Sequence, residues 1–593
     1  MRSIIRAFVA SCALVCVCQA GPAQADWLPT GNPLCRMPED MFQPVGQTQN
    51  FCFLQCFAGL GVYWQDQRFG YGSIFRSSVS DVGAPPYSPG DIPAQLVLQV
   101  AGTAMPSAAV SVPRIQCLSQ FCVSATILVY QVSLGGGGAL LRAQRLDDLT
   151  DFGPDGVVVA GAAGAQMFAS AVPDDSGGVV IAWLELNSLH RWVYAQRIDA
   201  HGNRRWGSAG VLVGTDTTTQ SAPLLAADGA GGAYVLRNDR RGGGRALALF
   251  HLVADGSLAP AWPASGVLLG TQPAEVTGLQ LRVGPSGVWV VWSQGVTLPN
   301  SNLVRRPYVT HLLADGTPVA GFTLAGSPVA SGLEGEAVVT DSGLGASGDL
   351  MTLIEYTQQW PAPSASGTDL LAQRVLAGGG QPAGWPANGR IVCDAPGVQS
   401  VGRMFRQGDG AFFAWKDQRA DDGDIYALRV LADGTLPTEW SVNGLLVCGV
   451  AGMQYLPVIG YNSVGGGFVA WLDQRDYATH FNDLYAQTVS GDARLSTDAS
   501  IPLSFSLSAA RPNPARGPVR VRLDLPVDAS VAVEVLDVAG RLVHRESFEA
   551  VAGSREFGWD LRTTDRVRAR PGLYLMRVRA AGFQRSTRVV VTE

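Results

Sequence analysis

The chain has 593 residues, 47 % of them hydrophobic and 16 % charged, with a formal net charge of −6. That length is more than one core ordinarily serves, so several domains or a repeat array are expected. Residues 26–500 carry a formal charge of about −13 and residues 501–593 about +5, which argues against nucleic acid as a partner of the body and marks a domain boundary.

Residues 1–25 read as a signal peptide. "MRSIIR" is a basic leader, "AFVASCALVCVC" an apolar stretch, and "GPAQA" a small-x-small cleavage pattern before Asp26. The apolar stretch is short for a membrane span, and no later one approaches about 18 apolar residues, so no transmembrane segment is expected in the mature chain. Beyond the signal lie seven cysteines: Cys35, Cys52, Cys56, Cys117, Cys122, Cys393 and Cys448. Export makes disulfides available, and an odd number leaves one thiol free or paired between chains.

The middle of the chain repeats itself. "FFAWKDQRADDGDIYALRV" from Phe412 returns as "FVAWLDQRDYATHFNDLYAQTV" from Phe468, with Trp, Asp and Arg at the same offsets. Aligned on this phrase, the Trp place is filled in order by Trp64, Tyr130, Trp183, Arg237, Trp292, Ile354, Trp415 and Trp471. A partner phrase recurs as "WVYAQRI", "DLLAQRV" and "DIYALRV", and a third as "WGSAGVLVG", "WPASGVLLG" and "WSVNGLLVC". Each phrase is short, rich in Val, Ala, Tyr and Trp, and bounded by Gly, Asp or Pro turns, which is strand punctuation. Four strands per unit of roughly 50 residues predict β-propeller blades over residues 26–492. The eighth unit stops at "DLYAQTVSGD", and its missing strand is matched by "WLPTGNPLC" at Trp27–Cys35. The expected fold is therefore all-β: an eight-bladed β-propeller closed by the N-terminal strand. Trp415, Asp417 and Arg419 alternate with their neighbours and so face one side of a strand, as do Trp471, Asp473 and Arg475. These residues, with Trp64, Trp183 and Trp292, are expected to be structural, the Trp packing between blades.

Chemical sites are few. Asp417, Asp421, Asp422 and Asp424 fall within eight residues and offer oxygen ligands of the kind Ca²⁺ takes. The same spacing also describes a solvated turn whose carboxylates cap backbone amides. No other cofactor is expected. No nucleophile elbow, P-loop or His pair at metal spacing occurs. Arg282, Arg403 and Arg406 fall in first strands that face a central channel, or they are surface charges. Cys52 and Cys56, like Cys117 and Cys122, precede the Trp place by near-matching intervals, which suggests two local disulfides stapling the turns between first and second strands.

A linker at 493–503 leads to about 90 residues of short, Arg-rich strands at 504–593, which read as a small β-sandwich. Here "ARPNPARGPVRVRLDLP", "VEVLDVAGRLV", "FGWDLR" and "PGLYLMRVRAAG" resemble the C-terminal sorting domains of type IX secretion cargo and the immunoglobulin-like domains of flagellar hook-capping proteins. The resemblance implies a cell-surface or released protein, with the outer-membrane secretion machinery as a partner. The sequence reads as a non-catalytic binding or adhesion protein for an extracellular glycan or protein. A glycosidase or lyase with its site at the channel mouth, or a structural surface-layer component, stand as alternatives.

Overall fold

The computed structural model describes the strands at 32–35, 52–56, 59–66, 73–80, 95–99 and 104–112 and, with short breaks, residues 125–592. The signal-peptide reading, Cys117 and Cys122 fall outside the described residues. The described residues form two compact units, one holding the repeats and one running from Ser496. Every regular element among them is a strand.

The repeat unit contains eight four-stranded antiparallel sheets, counted among the described residues, in a propeller-like arrangement. Sheet one is Cys52–Cys56, Gly59–Asp66, Ser73–Ser80 and Gln95–Gln99; sheet two is Ala104–Val112, Ala125–Gly135, Gly138–Arg145 and Val157–Val158. Sheet three is Ala165–Pro173, Val179–Leu186, Arg191–Ile198 and Val211–Leu212; sheet four is Leu224–Ala227, Ala233–Asp239, Ala246–Leu252 and Val267–Leu269. Sheet five is Val276–Gly284, Gly287–Thr297, Leu303–Leu312 and Ser327–Pro328; sheet six is Glu336–Leu344, Leu350–Thr357, Thr368–Val375 and Arg390–Cys393. Sheet seven is Gln399–Gln407, Gly410–Asp417, Asp424–Val430 and Leu445–Cys448. Sheet eight joins Gln454–Tyr461, Gly467–Asp473 and Asp483–Val489 to Asn32–Cys35, with Asn32 opposite Ala486 and Pro33 opposite Tyr485. Through the series, the first strand of each sheet packs against the first strand of the next.

The core lies between sheets. Trp183 packs with Ile127 and Val129 of sheet two, Trp292 with Leu236 and Leu249 of sheet four, and Trp471 with Val447 of sheet seven. The second strands of sheets three and five are buried on both faces over most of their length, which is why they read as continuous apolar runs, "VVIAW" and "VWVVW", instead of alternating. In sheets three, five and seven the glycine of the third phrase is set by the same Trp. Gly444 has φ +87°, and a Cβ there would lie 2.4 Å from the Trp415 ring. Gly326 has φ +82° and the same 2.4 Å approach to Trp292. Only glycine meets both demands.

Neighbouring sheets are also latched by hydrogen bonds. In sheets three, four, six and seven the indole that opens the third phrase donates to a backbone carbonyl in the turn of the following sheet: Trp206 to Ala254 (3.0 Å), Trp262 to Ala314 (2.9 Å), Trp385 to Ala432 (3.2 Å) and Trp440 to Gly491 (2.9 Å). Where the Trp place holds Arg237, the guanidinium is fully buried and lies 5.0 Å over the Phe250 ring. A Cβ at Gly214 would meet both groups, so a glycine there makes room for them.

One expectation fails. Cys52 and Cys56 do not flank a turn; they are the two ends of one strand, Cys56 standing opposite Gly59 at the hairpin. Four residues of extended chain span about 13 Å, and a disulfide needs Cα atoms within about 7 Å. Non-reducing peptide mapping should therefore yield no Cys52–Cys56 cross-link; recovery of one would mean that this strand is not extended in the protein.

The second unit holds two sheets. One pairs Ser506–Leu507, Val519–Leu525 and Gly553–Trp559; the other runs in the order Leu542–Ala550, Ala529–Asp537, Gly572–Ala580, Phe583–Val591. Val521, Leu523, Val533, Val535, Trp559, Met576 and Val578 from both sheets form its core.

Candidate functional site

Among the described side chains, the Trp-x-Asp-x-Arg phrase builds the same polar knot twice. At the end of its strand, Asp417 is fully buried and takes hydrogen bonds from Trp415 Nε1 (2.8 Å), Arg419 Nε (2.9 Å), Arg419 Nη2 (2.6 Å) and the Arg419 amide (2.9 Å). Arg419 lies 3.9 Å over the Tyr426 ring, and its Nη2 also reaches the Asn443 carbonyl (2.8 Å) and the Cys393 sulfur (3.1 Å). Trp471, Asp473, Arg475, Tyr485 and Cys448 repeat the arrangement, with Arg475 3.7 Å over its ring. Burial works to raise the Asp417 carboxyl, but the Arg419 and Trp415 hydrogen bonds outweigh it and hold it below the usual range. Burial pushes both thiols up to about 12, so neither Cys393 nor Cys448 is a nucleophile at neutral pH. Trp64 stands at the same place in sheet one, opposite Phe75.

The four aspartates do not converge. Among the described residues no group of three or more His, Cys, Asp or Glu side chains is arranged to hold a metal ion. Asp417 is committed to Arg419 and Trp415, and Asp421 caps the Gly423 amide at 2.9 Å. Asp422 accepts from the Gln418 side chain through its backbone carbonyl at 3.1 Å. Asp424 is buried opposite Asp417, and its carboxyl is raised to about 6, chiefly by burial and then by the charges of Asp421 and Asp417. An acid raised by folding stabilises most below its ordinary value, and that contribution is lost as pH climbs through about 6. Asp424→Asn should therefore raise Tm clearly above pH 6 and hardly at all below the ordinary carboxylate range. An equal gain at both ends would sink this account.

A second cluster gathers on first strands, where sequence spacing gives little warning. The first strands of sheets two, three, five, six, seven and eight each carry a register shift. Phe168, Val401 and Leu456, at three of these bulges, have φ of 54°, 54° and 51°. Positive φ is costly for such side chains, above all for β-branched Val401, and bulges with strained backbone gather at functional sites. The neighbouring sheet holds the Val401 bulge in place. Glu355 Oε1 accepts from the Val401 amide at 2.7 Å, and Asp341 Oδ2 from the Met404 amide at 3.0 Å. Burial raises the Glu355 carboxyl above the usual range, opposed by the Val401 and Gly402 amides and by the charge of Arg403.

The three arginines separate into different roles. Arg282 pairs with Asp341 at 3.2 Å and donates to the carbonyls of Ser342 (3.0 Å) and Leu281 (2.9 Å) and to Gln280 (3.0 Å). Arg406 is wedged in a buried ion pair with Asp349 at 3.3 Å, which Arg374 shares at 2.5 Å. Arg403 is half-buried, donates to the Gly402 carbonyl at 3.2 Å and faces Glu355. The sequence pointed to the arginines but not to Asp341, Glu355 or Phe168. The one available signal was a carboxylate directly after Ile354, the residue in the Trp place.

Residues 510–592 match the secretion system C-terminal sorting domain. No curated protein matches the chain. Among solved structures, the chain is similar to a polysaccharide lyase (7 % identity, 68 % of this chain and 94 % of that one, TM-score 0.38). It is also similar to an α-L-arabinanase from Penicillium chrysogenum (10 %, 55 % and 93 %, TM-score 0.28). A third is prolyl oligopeptidase B from Galerina marginata (11 %, 72 % and 55 %, TM-score 0.36), of which the chain spans about half. The chain carries a type IX secretion sorting domain at its C-terminus and is exported, to the cell surface or the extracellular space.

Proposed function

We propose that the chain is an exported, non-catalytic binding protein for an extracellular glycan or protein. In this reading its body, residues 26–492, is an eight-bladed propeller closed by the N-terminal strand. A linker at 493–503 joins it to an immunoglobulin-like sorting domain at 504–593. The pairing of Asn32–Cys35 with Asp483–Val489 supports closure, as does the contact of the first strand of sheet eight with the first two strands of sheet one. Deleting residues 27–35 should lower Tm far more than trimming a tail does, because it uncovers a sheet edge and one blade face. A melt unchanged by the deletion would refute closure.

The observation that carries binding is the commitment of the inner polar groups. Arg282 and Asp341 spend their hydrogen bonds on backbone, on Gln280 and on each other. On the first strand of sheet three, the bulge residue Phe168 remains 46 % exposed, an aromatic face of the kind that sugar rings stack on. A glycan array on the intact chain, followed by turnover assays on its hits, tests this. Binding without turnover, lost in Phe168→Ala, is the expected result.

A carbohydrate-active enzyme is the second reading, favoured by the raised Glu355 carboxyl beside Arg403. Turnover that Glu355→Gln abolishes while binding persists would establish it in place of the first.

A further inference from the structure

The outer face of the four-stranded sheet in the C-terminal unit carries a charge cluster that the strand register assembles. Arg545, Glu534 and Arg577 are directly opposed across three adjacent strands, and Arg579 lies two residues further along the same face. All three guanidinium groups turn to one carboxylate. Arg545 reaches Glu534 Oε1 at 2.5 Å, and Arg577 and Arg579 reach Oε2 at 3.6 and 3.9 Å. One negative charge is thus set against three positive ones. The arginines stay open to solvent, at 63 %, 27 % and 51 % exposure, while Glu534 is 11 % exposed beneath them. Arg588, opposite Leu575, extends the basic face by one row. That row also holds the exposed side chains of Leu575 and Leu542, an apolar shoulder beside the charge.

We propose that Arg545, Arg577 and Arg579 form a phosphate-binding site on this face, with Glu534 holding the guanidinium groups in position. The surplus of two positive charges matches a phosphomonoester, which carries about −1.5 to −2 at neutral pH, better than a singly charged carboxylate or sulfate ester. Planar guanidinium forks suit its three oxygens, and their pKa keeps them charged throughout. The phosphate is either the headgroup of a surface lipid or free inorganic phosphate.

The test uses the intact chain. One arm measures cosedimentation with phosphatidylcholine vesicles containing phosphatidate; the other titrates inorganic phosphate, followed by ³¹P NMR. The expected result is binding that Arg577→Ala/Arg579→Ala weakens by about tenfold or more, with an unchanged melt. Arg585→Ala, on the opposite side of the same sheet, should leave it intact. Affinity should rise with pH as the phosphate takes its second negative charge, at about pH 6 for a phosphomonoester and about one unit higher for inorganic phosphate, and should follow no protein group. Vesicle capture that inorganic phosphate displaces, and chloride at equal ionic strength does not, assigns a lipid headgroup. Phosphate binding without vesicle capture assigns the free anion. Binding that the double variant leaves unchanged, equal displacement by chloride, or no binding in either arm overturns the proposal.

Discussion

Asp417→Ala is expected to destabilise the body by about 3–5 kcal/mol, the range for removing one partner of a buried ion pair. The carboxylate neutralises Arg419 and at the same time accepts from the Trp415 indole and the Arg419 amide. Without it the guanidinium cannot turn out to solvent freely, because it is stacked on Tyr426 and bonded to the Asn443 carbonyl. The indole NH is left inside the core with no acceptor. Asp417→Asn should fare little better, since its amide presents donors to a guanidinium that has only donors. The denaturant midpoint at constant m-value is the measurement. A loss under about 1 kcal/mol, typical of exposed pairs, would show that the knot is decorative.

Removing residues 504–593 should abolish delivery to the surface while leaving the melting transition of the body in place. The sorting domain match lies wholly within the deleted stretch, and the two units have separate cores. Cell fractionation in a host with the secretion pathway should find the truncated chain in the periplasm. Normal surface delivery would contradict the sorting role.

How much of this was legible in the sequence depended on whether side chains or backbone did the work. Trp415, Asp417 and Arg419 announced themselves because one strand repeats them in order, and their contacts are with each other. The position of Asn32–Cys35 was legible for the same reason, as a phrase missing at one end and present at the other. The bulges at Phe168, Val401 and Leu456 were not, because positive φ usually advertises itself as Gly or Asn, and these residues are neither. Glu355 and Asp341 were equally silent. Both hold backbone amides of the next sheet, which every residue but proline supplies. The Cys52–Cys56 expectation failed on register: an interval before the Trp place gives a position along the repeat, not the residue at which the hairpin turns.

The four indole latches have a consequence for how such a chain changes over generations. Each takes its acceptor from the main chain of the following unit, at Ala254, Ala314, Ala432 or Gly491. The junction therefore places no requirement on the neighbour's side chain at that point. A duplicated unit brings its own donor and finds an acceptor wherever it is inserted. Once in place, it is free to drift, as the units bearing Arg237 and Ile354 have done, without its neighbours having to change in step.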